Sequence, residues 1–476
     1  MDSTQHVLSI FENLSAIPRG SGREAKISGW LQTLASERGF PWQVDESGNL
    51  VICIPATPGL ESAPIIILQG HMDMVCEKTP DSPHNFLEDP IHCIVDGEWL
   101  HADRTTLGAD NGIAIALALA LVADPSVEHP ALELLFTVQE EVGLGGANQL
   151  KPGFVQGKIL LNLDSEDEGT FIVGCAGGQT TYINLPLVFE KPVLDAAFHL
   201  QVSGLRGGHS GVDIHKHYAS ANKLLARVLD RIQNTTPILL MSLNGGTAHN
   251  AISREAHCSF VYSAAMADQV QATVSAFGSI LINEFSPIES SITLTLLPVE
   301  PGPAVNQADS SKVIQLIIAL PHGVSEMSAQ VEGFVETSCN LARIEIDGSE
   351  LKVVTHQRST VMSRMQELTT RISAIALLGG AQVFSGPAHA GWEPNMQSPL
   401  LQRSIKTYQS LFGSPPAVHM LHAGLECGTI GAIYPGMDMI SLGTTIENPH
   451  SPNERMYIPS IERVWRYLVA FLQTYR

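Results

Sequence analysis

The sequence predicts an α/β fold, a mostly parallel sheet covered by helices and split by an inserted α+β domain. Three observations predict it. The N-terminal third carries uniformly apolar runs, "PIIILQ" (64–69), "LELLFTV" (132–138) and "KILLNL" (158–163), around a long apolar helical pattern (112–123). Strands with no polar face are buried on both sides, as in parallel sheets sandwiched between helices. From about residue 183 the pattern turns to apolar/polar alternation, the mark of half-exposed antiparallel strands. After "GWEPNMQSP" (391–399) the doubly apolar type returns in "DMISLG" (438–443).

Taken in order, two amphipathic segments open the chain, the first with Val7, Leu8, Phe11 and Leu14 at helical spacing, broken at Pro18 and Gly20–Gly22. Strand, helix, strand and strand come next. In the middle region "AAFHLQVSG" (196–204) and "LARIEIDGSELKVVTH" (341–356) alternate, and each precedes a helical pattern, 217–233 and 361–378. Two strand–helix units in tandem point to an internal duplication. The expected domains are 1–183 and 397–476 as two parts of one α/β domain, with 184–396 inserted.

At 476 residues the chain is long for one hydrophobic core. A net charge of −21 argues against nucleic acid or an anionic membrane as partner, because binding either would release no counterions. The longest apolar run, Ile113–Ala123, is about half of a membrane span. Seven dispersed cysteines without a CxxC pair read as reduced thiols, and the amphipathic opening is unlike a signal peptide. A cytoplasmic protein is expected.

Chemistry collects where open α/β sheets place their sites, beyond the carboxyl ends of the strands. His71 and Asp73 follow the first apolar strand, Glu140 and Glu141 the second, Asp164 the third, and His450 the last. Asp110 stands just before the apolar helix. Singly, each has an ordinary explanation: a packed or exposed imidazole, an N-cap for Asp110, a turn residue for Asp164, a solvated pair for "EE". Converging on successive strand ends, the set reads as a metal site. In an extended segment residues i and i+2 point the same way, so Asp73 is placed to hold the His71 imidazole. Glu140 and Glu141 point apart, and one can bind metal while the other faces substrate. Imidazole and carboxylate ligands suit Zn2+, with Mn2+ or Co2+ as substitutes. Five ligand candidates exceed the needs of one catalytic zinc and fit two metals that share a carboxylate and activate a water.

The motifs "GHMDMV" (70–75), "TTLGADNGIA" (105–114), "VQEEVGLGG" (138–146), "LNLDSE" (161–166) and "ENPHSPNER" (447–455) together resemble those of the M20 metallopeptidases. More narrowly they resemble the aminoacyl-histidine (Xaa-His) dipeptidases, also called cytosolic non-specific dipeptidases. "SGLRGGHSGVDIH" (203–215), "NGGTAHNAISREA" (244–256), "HQRST" (356–360) and "LHAGLECG" (421–428) extend the match along nearly the whole chain. The resemblance implies a zinc-peptidase catalytic domain with an inserted lid, and two Zn2+ per chain. His71 and Asp164 would hold one, Glu141 and His450 the other, with Asp110 bridging. It implies Glu140 as general base, Asp73 orienting His71, and a cis Asp110–Asn111 bond. It also implies lid His209 stabilising the oxyanion, Arg358 clamping the substrate carboxylate, and substrate contacts from Asn250 and, at the free amino group, Glu426. A homodimer acting on unblocked dipeptides, carnosine-like Xaa-His substrates included, is expected.

Two stretches depart from that pattern, His217–Ser220 and Ala388–Ala390, and both bear on substrate preference rather than on hydrolysis. "GGHSG" is one residue out of register for a GxSxG elbow, and "GLGGAN" lacks the last glycine of GxGxxG. The rival readings are a related amidohydrolase of N-acylated amino acids and a metal-binding protein that has lost catalysis. The large insertion and "HAGLECG" favour the dipeptidase over the first, and retention of all seven positions of the metal site argues against the second.

Overall fold

The four most apolar strands form the middle of one sheet because each must hide both faces. In the computed structural model, which describes residues 3–475, the sheet runs Trp42–Val44, Leu50–Ile54, Leu132–Thr137, Ile66–His71, Ile159–Asn162, Asp438–Ser441, Thr170–Cys175 and Ala417–Leu421. Leu132–Thr137, Ile66–His71, Ile159–Asn162 and Asp438–Ser441 pair in parallel, with Ile66 level with Leu132 and Ile159, and Asp438 level with Ile159. The sheet is therefore mixed, parallel through its centre and antiparallel toward Leu50–Ile54 and Thr170–Cys175. The helix Ala109–Ala123 is buried along almost its whole length, which explains an apolar run with no polar face. Val7, Phe11 and Leu14 of Ser3–Ser15 and Leu468 and Phe471 of Ile458–Gln473 share its core.

The chain divides into two compact units. One comprises the chain up to Gly174, Trp392–Met420 and the chain from Leu425; the other is Cys175–Gly391 with Leu421–Gly424. The second unit begins before residue 184 because the strand Gly177–Pro186 pairs along its whole length with Glu350–Ser359.

The second unit holds a nine-stranded sheet in which eight strands make two halves of the same design and the ninth, Gly323–Met327, pairs with Val335–Asp347. Along the first half lie Thr293–Val299, Ala196–Ser203, Ala256–Tyr262 and Leu239–Gly245, with helices Ala221–Gln233 and Ala267–Phe285. Along the second lie Val335–Asp347, Glu350–Ser359, Gly177–Pro186 and Gln382–Ser385, with helices Gln307–Ala319 and Met362–Leu378. Each reads β-α-β-β-α-β, and they join where Asn244 and Gly245 meet Glu345 and Ile344. The duplication is nested, since the first strand of one half precedes the whole of the other. The alternating run 341–356 is a hairpin, turned at Gly348–Ser349 with Gly348 at φ 59°.

No helix among the described residues is long and apolar enough to cross a membrane.

Candidate metal centre

Parallel pairing brings the strand ends and the loops leaving them to one edge of the sheet. His71 ends its strand level with Thr137, while Asp164 lies just past Asn162, which is level with Ser441. Asp110 sits at the head of the helix Ala109–Ala123 in a non-helical conformation, with its bond to Asn111 cis. His450 lies in the loop after Ile446–Glu447 at φ 59°.

Asp110 stands between the two histidines. Its Oδ1 is 3.1 Å from His71 Nε2 and its Oδ2 3.0 Å from His450 Nε2. His71 Nε2 also lies 3.4 Å from Asp164 Oδ1, and His450 Nε2 lies 2.9 Å from Glu141 Oε2. Donor atoms come within 4.8 Å of one another in three groups: His71, Asp110 and Asp164; Asp110, Glu141 and His450; and His71, Glu140 and Glu141. Asp110 thus belongs to two overlapping groups, and Glu140 comes within ligand range as well as Glu141.

Four carboxylates face two imidazoles here, an excess of negative charge in a largely buried place. Burial pushes Glu140 well above the ordinary carboxylate range, helped by the charges of Asp164, Glu426 and Glu141. Burial likewise lifts Asp164 to about 6. Burial works against ionised Asp110, yet hydrogen bonds from His450 and His71 hold its pKa below the usual value. The same bonds from Asp110 and Glu141 raise His450 to about 11. Glu141 Oε1 is buried with no hydrogen-bond partner, a lone acceptor beside a cluster that draws positive charge. Such a donor set fits divalent cations.

Asp73 does more than face His71. Its Oδ1 is 3.4 Å from His71 Nδ1, and its carboxylate accepts the backbone N–H groups of Glu140 (3.0 Å) and Glu141 (3.2 Å) and the Ser21 hydroxyl (2.8 Å). The glutamate loop turns back tightly, the Gly146 N–H reaching the Val138 carbonyl at 2.8 Å. A Cβ on Gly146 would lie 2.5 Å from that oxygen and closer still to Asn49 Oδ1. Asn111, to which the sequence gives no role of its own, accepts the His71 N–H and donates to the Leu163 carbonyl, tying two strand ends to the helix.

Glu426 opens the helix Glu426–Ile433, fully buried, taking hydrogen bonds from Gln69 (2.5 Å) and Thr137 (2.8 Å) at Oε2, while Oε1 has no partner. Burial raises it to about 7.

His209, Asn250 and Arg358 belong to the second unit. His209 Nδ1 accepts backbone N–H groups from Gly211 (3.3 Å) and Val212 (3.1 Å). A neutral imidazole so held carries its proton on Nε2, as a donor. Burial and the charge of Arg358 lower its pKa, favouring that neutral form. The Asn250 carbonyl accepts the Ser210 N–H at 2.7 Å, next to His209. Arg358, 6% exposed, has no carboxylate within ion-pair distance among the described residues, and its Nε is unpartnered. Burial lowers it to about 10, and its charge depresses His249, His356 and His389, each already lowered by burial. An unpaired buried guanidinium calls for an anion.

Residues 67–474 match the sequence model of Peptidase family M20/M25/M40. The cytosol non-specific dipeptidase of Escherichia coli (strain K12) is 39% identical over 473 residues, covering 99% of this chain and 98% of that protein. The crystal structure of aminoacylhistidine dipeptidase from Vibrio alginolyticus superposes with a TM-score of 0.92 at 37% identity, over 98% of this chain and 96% of that one. A tripeptidase from Staphylococcus aureus shares the fold at a TM-score of 0.57 and 17% identity, covering 99% of this chain and 98% of that one. The matched region starts inside the strand that ends at His71 and runs past His450 into the last helix, so that it holds every residue of the three donor groups: the chain belongs to the M20/M25/M40 family of peptidases.

Proposed function

We propose that this M20 peptidase hydrolyses unblocked dipeptides, Xaa-His substrates among them, with two divalent cations held at the clustered strand ends. Dipeptide hydrolysis is carried by the full-length likeness, at 39% identity, to a protein named as a non-specific dipeptidase. The two-cation reading is carried by Asp110, whose two oxygens face two separate histidines.

His71 and Asp164 would hold one cation and Glu141 and His450 the other, with Asp110 between them. Zn2+ suits these ligands best. When bound, the cations supply Lewis-acid polarisation of the scissile carbonyl and a water made acidic enough to attack it. Asp73 holds His71 in one orientation and keeps the adjacent glutamate backbone in place. Glu140, with no hydrogen bond needed to hold its side chain, takes the proton of the attacking water and returns it to the leaving amine. His209, protonated on Nε2, donates to the oxyanion developing on the substrate carbonyl. Arg358 takes the substrate's terminal carboxylate, a planar group that its forked guanidinium matches. Asn250 and Glu426 complete the substrate contacts, Glu426 meeting the free amino group.

The reading includes a cytoplasmic location, after the E. coli relative's name, and a homodimer, which light scattering at working concentration checks. The deciding experiment is metal analysis with a panel of dipeptides and acetylated amino acids, run with and without chelator. Cleavage of dipeptides, abolished by chelator and restored by Zn2+, is expected. Rapid hydrolysis of acetylated amino acids with no dipeptide cleavage refutes the substrate assignment.

A further inference from the structure

Two buried charged residues grip the segment that carries Asp110, one through its amides and one through a carbonyl. Glu454, 2% exposed, receives four consecutive backbone amides. Its Oε2 accepts the N–H groups of Leu107 (2.7 Å) and Gly108 (2.9 Å), and its Oε1 those of Ala109 (2.8 Å) and Asp110 (3.3 Å). Arg19, 1% exposed, donates from Nη1 to the carbonyls of Met72 (3.0 Å) and Asp73 (2.9 Å), and from Nη2 to the carbonyl of Gly108. Neither has an ion-pair partner within 4 Å among the described residues, so both charges are met by backbone dipoles.

Glu454 belongs to the loop of His450, so one carboxylate ties the second histidine's loop to the segment bearing Asp110. The carbonyls of Met72 and Asp73 directly follow His71, so one guanidinium ties the first histidine's strand end to the same segment. Room is kept for that guanidinium. A Cβ on Gly108, which has φ 70°, would lie 2.6 Å from Arg19 Nη2, and a Cβ on Gly112 would also lie 2.6 Å from it.

We propose that Arg19 and Glu454 are positioning residues, which hold Asp110 between His71 and His450 and so set the affinity of the site for its cations. Without cations, Asp110, Glu141 and Asp164 repel one another, and a segment free to move would let them separate. The grip keeps the ligands assembled beforehand, so that binding need not order them. Arg19's charge suits three carbonyls at once, and Glu454's suits four amides, contacts stronger than neutral groups would make. The inference rests on the metal reading of the site.

The test uses metal-stripped full-length protein titrated with Zn2+ against a chromophoric chelator. Glu454→Gln keeps the shape but turns an NH2 toward amide donors, and Arg19→Lys keeps a cation but loses the fork. Each is expected to fold, by near-ultraviolet circular dichroism, and to bind Zn2+ roughly 10–100-fold more weakly, the usual effect of removing such a support. Turnover should fall at limiting Zn2+ with KM for the dipeptide unchanged. Wild-type Zn2+ affinity in the folded variants overturns the proposal, as does a lowered melting temperature with affinity per folded molecule intact. Failure of both variants to fold also overturns it, assigning the pair to stability alone. Should the unmodified protein take up no divalent cation, the metal reading itself fails, an outcome distinct from variants that load as well as it does.

Discussion

Glu140 and Glu141 are joined by one peptide bond yet meet different neighbours. Glu141 touches His450 and keeps a buried oxygen without a partner, whereas among the described residues no hydrogen bond holds the Glu140 side chain. Glu140→Gln is expected to lower kcat by roughly 10²–10⁴ while two metals per chain remain. Metal analysis separates the roles, because loss of a metal would make Glu140 a ligand, which its position near His71 permits. His209→Ala is expected to cut kcat by about 10²–10³, as loss of one oxyanion donor does, with metal content intact. Near-normal turnover would remove His209 from the reaction. Glu140 and Glu141 were legible as members of a set, because acids and histidines after successive apolar strands converge, whereas His209 was marked only by its resemblance to a family motif. Arg19 and Glu454 were not legible, because their work is done on distant backbone, and no local pattern marks a side chain whose partners are amides and carbonyls. Arg19 sits in a stretch that reads simply as a helix break, and Glu454 in a motif dominated by His450.

At the level of elements, the loop 138–146 shows how close packing fixes the position of Glu141. Gly146→Ala would push a methyl onto the Val138 carbonyl and Asn49, forcing the glutamate loop to shift. Destabilisation of about 1–3 kcal/mol is expected, the range for overpacking, and denaturant unfolding measures it. A variant as stable as the parent would mean the loop gives way freely. Long, periodic segments were readable from the sequence: the helices Ser3–Ser15 and Ala109–Ala123 and the strands Ile66–His71 and Leu132–Thr137 lie where their apolar patterns put them. The hairpin turn at 348–349 is not evident from the pattern, although "GS" between alternating runs is a turn signal, because alternation continues on both sides of it. The short strands Trp42–Val44, Cys93–Asp96 and Arg455–Tyr457 are too brief to show a period, and pairing alone makes them strands.

For the whole molecule, two conditions should move stability in opposite ways. Cations that bind the folded chain alone stabilise it by mass action, about 2.7 kcal/mol at a hundredfold excess over Kd. Chelator is therefore expected to lower the melting temperature and Zn2+ to restore it, and a melting temperature indifferent to both would count against a resident metal. Acid should act on the second unit through buried neutral histidines. Burial holds His322 near a pKa of about 4 against an ordinary 6.5, and burial with the Arg358 charge holds His422 at about 3. Unfolding lets these groups take up protons that the fold refuses. Their folded values are depressed, so stability is full above 6.5 and declines as pH falls toward about 4. Melting followed across that window, with His322→Gln flattening the slope, checks the sign and the source.

By itself the sequence determined the fold class, the buried central strands and the chemical kind of the site, because burial on both faces and acids or histidines after strands are local patterns. Tertiary structure alone decided that Asp110 stands between two histidines hundreds of residues apart, that the duplicated halves are nested, and that Arg19 and Glu454 hydrogen-bond the backbone beside His71 and Asp110. Those facts depend on which strands become neighbours and how closely backbones approach. Parallel pairing and long connections set both, and no stretch of chain records them.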